Sequence, residues 1–233
     1  MGSVSVRRSI RWLPEETNEP TSTIVLTSPQ RHFVDLRILK ENAGSGSGSG
    51  SGTQDTLPLS RLDWAIAGTS SSCTRTLDGK QVCHSRWEHW IDSRCSQPEE
   101  ASDEGDMYPQ PDGSTLEKGS MVNPDTGRET AYEEIWDDEN AVPTTSGQVC
   151  VVLKYEEGES RGLAVRLGKY AQGFARMGRD ISLERWEWRD CRAVRTVRMG
   201  TKALPCREML DTVYALGEEV TCGGKKWTVV EVA

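Results

Sequence analysis

The chain has 233 residues, 35% of them hydrophobic, enough for one large or two small packed domains. A net charge of −8 and a pI near 5.1 leave no basic surface to neutralise phosphates, so no nucleic acid is expected as a partner. No apolar run approaches the roughly 18 residues of a membrane span and no signal-peptide pattern opens the chain. The expectation is a cytoplasmic protein without membrane insertion.

The opening Met-Gly-Ser-Val-Ser-Val has the glycine of a myristoylation site but Val6 where the motif needs Ser or Thr. The first apolar segments are TSTIVLTS (21–28) and RHFVDLRILK (31–40), and the second alternates Val34, Leu36 and Ile38 with Asp35 and Arg37. That period of two marks a strand with unlike faces. Residues 44–52 alternate Gly and Ser strictly, the composition of an engineered flexible connector in place of a longer loop. LDWAIAGTSSS (62–72) and KQVCHSRWEHWID (80–92) follow, and LEKGSMVNPDTGRETAYEEIWD (116–137) closes the first set. The acidic stretches 98–106 and 132–140 read either as solvated loop and strand-edge charge or as a docking surface for a basic partner. On the second reading Ser102, three residues after Glu99, is a phosphorylation site. Residues 98–119 read as a long loop able to fold over a barrel mouth.

Beyond the polar stretch Asn140 to Gly147 the phrases return in the same order: QVCVVLKYEE (148–157), RGLAVRLGKY (161–170), AQGFARMGRD (171–180), ISLERWEWRD (181–190) and LGEEVTCGGKKWTVVEVA (216–233). ERWEWRD echoes the earlier SRWEHWID, and an internal duplication accounts for the shared order. Each segment is short, rich in Val, Ile, Leu, Trp and Thr, and bounded by turn residues; hairpin turns are predicted at 28–30, 157–159 and 222–224. Helix is scarce, with Arg207 to Leu216 the best candidate. The fold class is all-β, with two tandem antiparallel β-barrels at 1–140 and 147–233, closure removing exposed strand edges.

The usual catalytic and cofactor motifs are absent from this sequence, and no cofactor is expected. Seven cysteines without a C-x-x-C pair read as reduced thiols, and His32, His84 and His89 have no metal-ligand spacing. Tryptophan stands out, eight residues against two phenylalanines. Trp186 and Trp188 share one strand face, and Trp87 and His89 take the matching face of the first copy. The indoles either fill two interiors or wall a cavity in one of them for a hydrophobic small molecule. In the second case Trp87, Trp186, Trp188 and Phe174 are candidate walls, and Trp64, His89, Arg166, Tyr170 and Gln172 are candidate donors to a reacting oxygen.

DWAIAGTSSS, SRWEHWIDS, GLAVRLGKYAQGF and the terminal GKKWTVVEV resemble the fungal HRI family, named for a yeast protein that binds casein kinase I. The resemblance implies a tandem two-barrel, lipocalin-like fold in a soluble intracellular protein. Some relatives in fungal natural-product pathways act as hetero-Diels–Alderases, joining a tropolone-derived quinone methide to a macrocyclic sesquiterpene. By that resemblance the chain orients two reactants, catalysis by proximity with a donor at the oxygen that gains charge. The other implied reading is a non-catalytic interaction protein whose partner is a protein kinase or a secretory-pathway component.

Overall fold

Alternating strands build both halves of the molecule, and the faces they bury decide how the halves meet. The computed structural model describes residues 2–41, 56–142 and 147–233; the Gly/Ser stretch 44–52 and positions 143–146 lie outside the described residues. Eight strands form the first unit: β1 (Ser3–Trp12), β2 (Thr21–Thr27), β3 (His32–Leu39), β4 (Leu62–Leu77), β5 (Lys80–Asp92), β6 (Ser102–Pro109), β7 (Thr115–Asn123) and β8 (Arg128–Glu139). They run up and down and close into a barrel, β1 pairing with both β2 and β8.

Residues 98–119 are therefore not one long loop, since they contain β6 and the start of β7. Most of the acid of 98–106 and 132–140 is solvated, with Glu99, Glu100, Glu104, Asp138 and Glu139 exposed, but Asp103, Asp106 and Glu134 are buried; Ser102 is exposed. Strand alternation turns every second side chain of these stretches inward, which composition by itself does not reveal.

The second unit contains β9 (Cys150–Glu157), β10 (Ser160–Leu167), β11 (Tyr170–Met177), β12 (Asp180–Arg189), β13 (Arg192–Met199), β14 (Glu219–Cys222) and β15 (Lys225–Val232). Their order is β13-β12-β11-β10-β9-β15-β14, an open sheet, which corrects the expectation of a second closed barrel. The chain fills this sheet's inner face with itself. Leu204, Cys206, Met209, Leu210 and Tyr214 pack on Val151, Leu153, Ala164, Ala171 and Trp227 in one cluster. The expected helix shrinks to a single turn, α1 (Cys206–Met209), within that plug.

The other face of the second sheet covers the outside of the barrel. Val34, Leu36, Ile38, Ala65, Ala67 and Ile91 form one core with Leu163, Val165, Leu167, Phe174 and Leu183. Burying each larger aliphatic or aromatic side chain here is worth about 1.5–3 kcal/mol before entropy is charged. A polar bolt crosses the same apolar seam. Gln172 Nε2 donates to the carbonyls of Ile24 (2.9 Å) and Val34 (3.0 Å), and Gln172 Oε1 accepts from Arg185 Nε at 2.6 Å. The remaining Arg185 donors reach Ser22 Oγ at 3.0 Å and the carbonyl of Leu36 at 2.7 Å. Burial pulls this guanidinium down to about 10, against the opposing fields of Asp35 and Tyr170, so it stays charged at neutral pH.

Arg185→Ala removes these donors and strands Gln172 Oε1 in an apolar seam. The expected cost is about 2–4 kcal/mol, read as a lower urea midpoint. Lys226→Ala, which breaks only the exposed pair with Glu219, leaves the midpoint where it was.

Candidate functional site

Alternate side chains of the barrel strands point inward, a mixture of polar and aromatic groups. On β3 this sends Phe33, Asp35 and Arg37 into the lumen, β5 adds Trp87, β6 adds Asp103, and β8 adds Trp136. They surround a cavity of about 180 Å³ walled by Phe33, Ile66, Trp87 and Trp136 and edged by the hydroxyls of Ser70, Ser72 and Ser85. A cavity of about 150 Å³ is known to hold benzene, so this one suits a single substituted ring. Two glycines facing each other across β6 and β7 make the room. A Cβ on Gly105 would lie 2.7 Å from Glu117 Cγ, and one on Gly119 would lie 2.4 Å from the Tyr132 ring.

Both lumen arginines are committed. Arg7 donates from Nη1 to Glu134 Oε1 at 2.6 Å and from Nε to Glu19 Oε2 at 2.9 Å. Arg37 donates from Nε to Asp35 Oδ2 at 2.9 Å, and its Nη1 lies 3.5 Å from Glu134 Oε1. Glu117 accepts the Tyr132 hydroxyl at 2.8 Å; burial, with the charges of Glu134 and Asp103, holds its carboxyl well above the usual range.

Asp103 differs from the other acids. It lines the cavity at 8% exposure, and among the described residues it accepts no hydrogen bond and joins no ion pair. Burial lifts its carboxyl to about 6; Arg37 and His89 pull it down while Glu134 and Asp35 push it up. Asp35 Oδ1 and Trp136 Nε1 are likewise buried without a partner.

Of the expected site residues, the barrel interior gathers three. Trp87 lines the cavity. Trp64 packs against the same aromatic cluster, its ring 5.8 Å from His89 and beneath the Arg37 guanidinium. Its Nε1 donates to Asp92 Oδ1 at 2.9 Å, and His89 Nδ1 meets Asp92 Oδ2 at 2.8 Å. Burial pushes the Asp92 carboxyl up, but hydrogen bonds from His89, Trp64 and the Arg94 amide outweigh it and hold it low. The ionised carboxylate therefore keeps the proton on His89 Nδ1, and Nε2 is left buried without a partner.

The other candidates lie in the second sheet. Phe174 and Gln172 belong to the seam described above. Tyr170 donates to Glu139 Oε2 at 3.1 Å at the edge of that seam. Arg166 is fully buried on the plugged face, its guanidinium donating to the carbonyls of Met209 (2.9 Å) and Gln148 (2.5 Å). Trp186 and Trp188 pack against the plugged cluster, Trp186 donating to Glu184 Oε2 at 2.6 Å. The residues that sequence reasoning passed over are Phe33, Asp35, Arg37, Asp103, Glu117 and Trp136. The signal for Asp35 and Arg37 was their alternation with Val34, Leu36 and Ile38 on β3, which marked two unlike faces without saying which one is enclosed.

The family model described as Protein HRI1 matches residues 3–231. The crystal structure of the uncharacterised protein YLR301w from Saccharomyces cerevisiae is similar in fold, with a TM-score of 0.76 over 100% of this chain and 99% of that one, at 19% identity. Among curated proteins none matches significantly.

The raised carboxyl of Asp103 has a consequence for stability. The folded chain holds a proton near pH 5 that the unfolded chain, with a carboxyl near its ordinary value of about 4, releases. Its contribution therefore favours folding below about pH 4 and weakens as pH rises toward about 6. Asp103→Asn is expected to raise stability at pH 7–8 by about 2 kcal/mol and to flatten the pH slope, with Glu117 retaining its share. Urea unfolding between pH 4 and 8 reads both; an unchanged slope would sink the assignment.

Proposed function

The chain belongs to the HRI1 family, and on that footing we propose that its closed barrel binds one small oxygenated ring compound and orients it for a hetero-Diels–Alder cycloaddition. The observation that carries this reading is the ring-sized cavity inside the barrel, flanked by Phe33, Trp87 and Trp136 with the unpaired Asp103 on its wall. Indole and phenyl faces supply flat apolar contact, and a few converging polar groups fix the ligand's rotation. A pericyclic step needs no nucleophile and no cofactor, only reacting atoms within bonding reach and one exposed face. At about 180 Å³ the lumen takes the ring reactant alone. The bulkier alkene then approaches at the end lined by Ser3, Arg31 and Asp138, where the exposed Arg31 is a donor for an oxygen that gains charge.

We further read the two sheets as lipocalin-like relatives born of one duplication. Both are up-and-down meanders, and in each the final strand folds back to pair with the first, β8 with β1 and β15 with β9.

The test is a chiral product assay with a tropolone quinone-methide precursor and a humulene-type alkene. The protein is expected to give one enantiomer faster than a boiled control. Trp87→Ala should slow that reaction at least tenfold while Trp188→Ala, in the plugged sheet, does not. A racemic adduct at the background rate would sink the cycloaddition, and ligand titration of the lumen would then be the remaining reading of the cavity.

A further inference from the structure

We infer that the lumen selects a neutral planar ring bearing a hydroxyl, which donates its hydrogen bond to Asp103, and that it rejects an anion of equal size. The inference rests on the lumen being the ligand site.

Three observations lead there. The first is the vacancy in hydrogen bonding: Asp103 faces the cavity as an acceptor that no described residue satisfies. A buried carboxylate in that state costs several kcal/mol of lost solvation, which a donated hydrogen bond from a ligand would restore. The second is the charge balance. Four acids, Asp35, Asp103, Glu117 and Glu134, share the interior with Arg7 and Arg37, and both arginines already hold carboxylates. The remaining guanidinium of the lining, Arg31, is exposed at the rim. An entering carboxylate or phosphate would meet no free cation at depth and an acid already short of one.

The third observation separates a hydroxylated ring from an ammonium ion. Trp136 Nε1 is a buried donor without an acceptor, on the wall of the same cavity. Oxygen substituents on a ring can donate to Asp103 and accept from Trp136, whereas an ammonium ion offers no lone pair. The planar shape follows from the walls, Phe33 and Trp87 presenting aromatic surface to a volume that holds one ring.

Phenol, anisole, benzoate and benzylammonium, titrated into the full chain and followed by the indole N–H resonances, test this. Phenol is expected to bind about tenfold more tightly than anisole, which keeps the ring and the oxygen but cannot donate. Benzoate should leave the spectrum unchanged. Asp103→Leu removes the acceptor without breaking a protein hydrogen bond, so it should fold, and the phenol–anisole difference should vanish in it. With wild type, phenol affinity should rise with pH through about 6 as Asp103 ionises among Arg37, Glu134, His89, Asp35 and Glu117; Asp103→Leu abolishes that rise. Equal binding of phenol and anisole, or preferred binding of benzoate or benzylammonium, overturns the selectivity and leaves the lumen standing as a ligand site. If no probe shifts the Trp87 or Trp136 signals at millimolar concentration, the lumen reading fails and the inference with it.

Discussion

β3 is buried on both faces, and its alternation sends Val34, Leu36 and Ile38 outward against the second sheet while Phe33, Asp35 and Arg37 line the lumen. An isolated eight-strand barrel would keep its apolar faces inside and its charges in water. Here the outer wall made by β3 and β4 is apolar, and an uncovered patch of that kind would stick or aggregate. The second sheet is therefore the barrel's missing solvent shield. The interior is left with Asp35 and Arg37 beside the aromatic and aliphatic walls Phe33, Ile66, Trp87 and Trp136.

That inversion explains why the lumen is both charged and hollow. Arginine and carboxylate pairs cannot collapse into a void as leucines do, because each needs its partner at a set distance and angle. Arg7, Arg37, Glu134 and Asp35 tie one region together, and Tyr132 with Glu117 occupies the floor that Gly105 and Gly119 leave open. One acid more than this network can satisfy is left facing the void, and burial then drives its carboxyl upward. The second sheet solves its own concavity differently, with Leu204, Cys206, Met209, Leu210 and Tyr214 packed into it.

The segments that hold β2–β5, β7–β12, β14 and β15 and the three named hairpin turns were legible in the sequence, because a period of two and Gly- or Pro-marked turns are local properties, whereas β1, β6 and β13 went unread. Which face of each strand looks inward was not legible, because that depends on what the outer face meets. The repeated Trp phrase shows the limit. Trp87 reaches the lumen, whereas Trp186 and Trp188 occupy the corresponding strand of a sheet whose inner face is plugged. Nothing within ERWEWRD distinguishes the two fates; the difference comes from Leu204 and Met209, far along the chain. Asp103 was hidden in an acid-rich run for a similar reason. Ser102 and Glu104 are exposed while Asp103 and Gly105 are buried, a period of two masked by like composition.

The second sheet also reaches the mouth of the cavity. Glu231, buried on β15, accepts from Ser28 Oγ at 2.5 Å and the Gln30 amide at 2.9 Å, and lies 3.1 Å from His32 Nδ1. Those contacts clamp the β2–β3 turn, in which Arg31 takes a left-handed φ of 73° and stands at the lumen rim. A non-glycine residue in that conformation persists where its surroundings over-determine it, and the three contacts to Glu231 do so. The rim is thus set by a strand from the other end of the chain. A site whose polar groups are held by a rigid neighbour keeps its shape when empty, which is the condition under which a ligand meets it without further ordering cost.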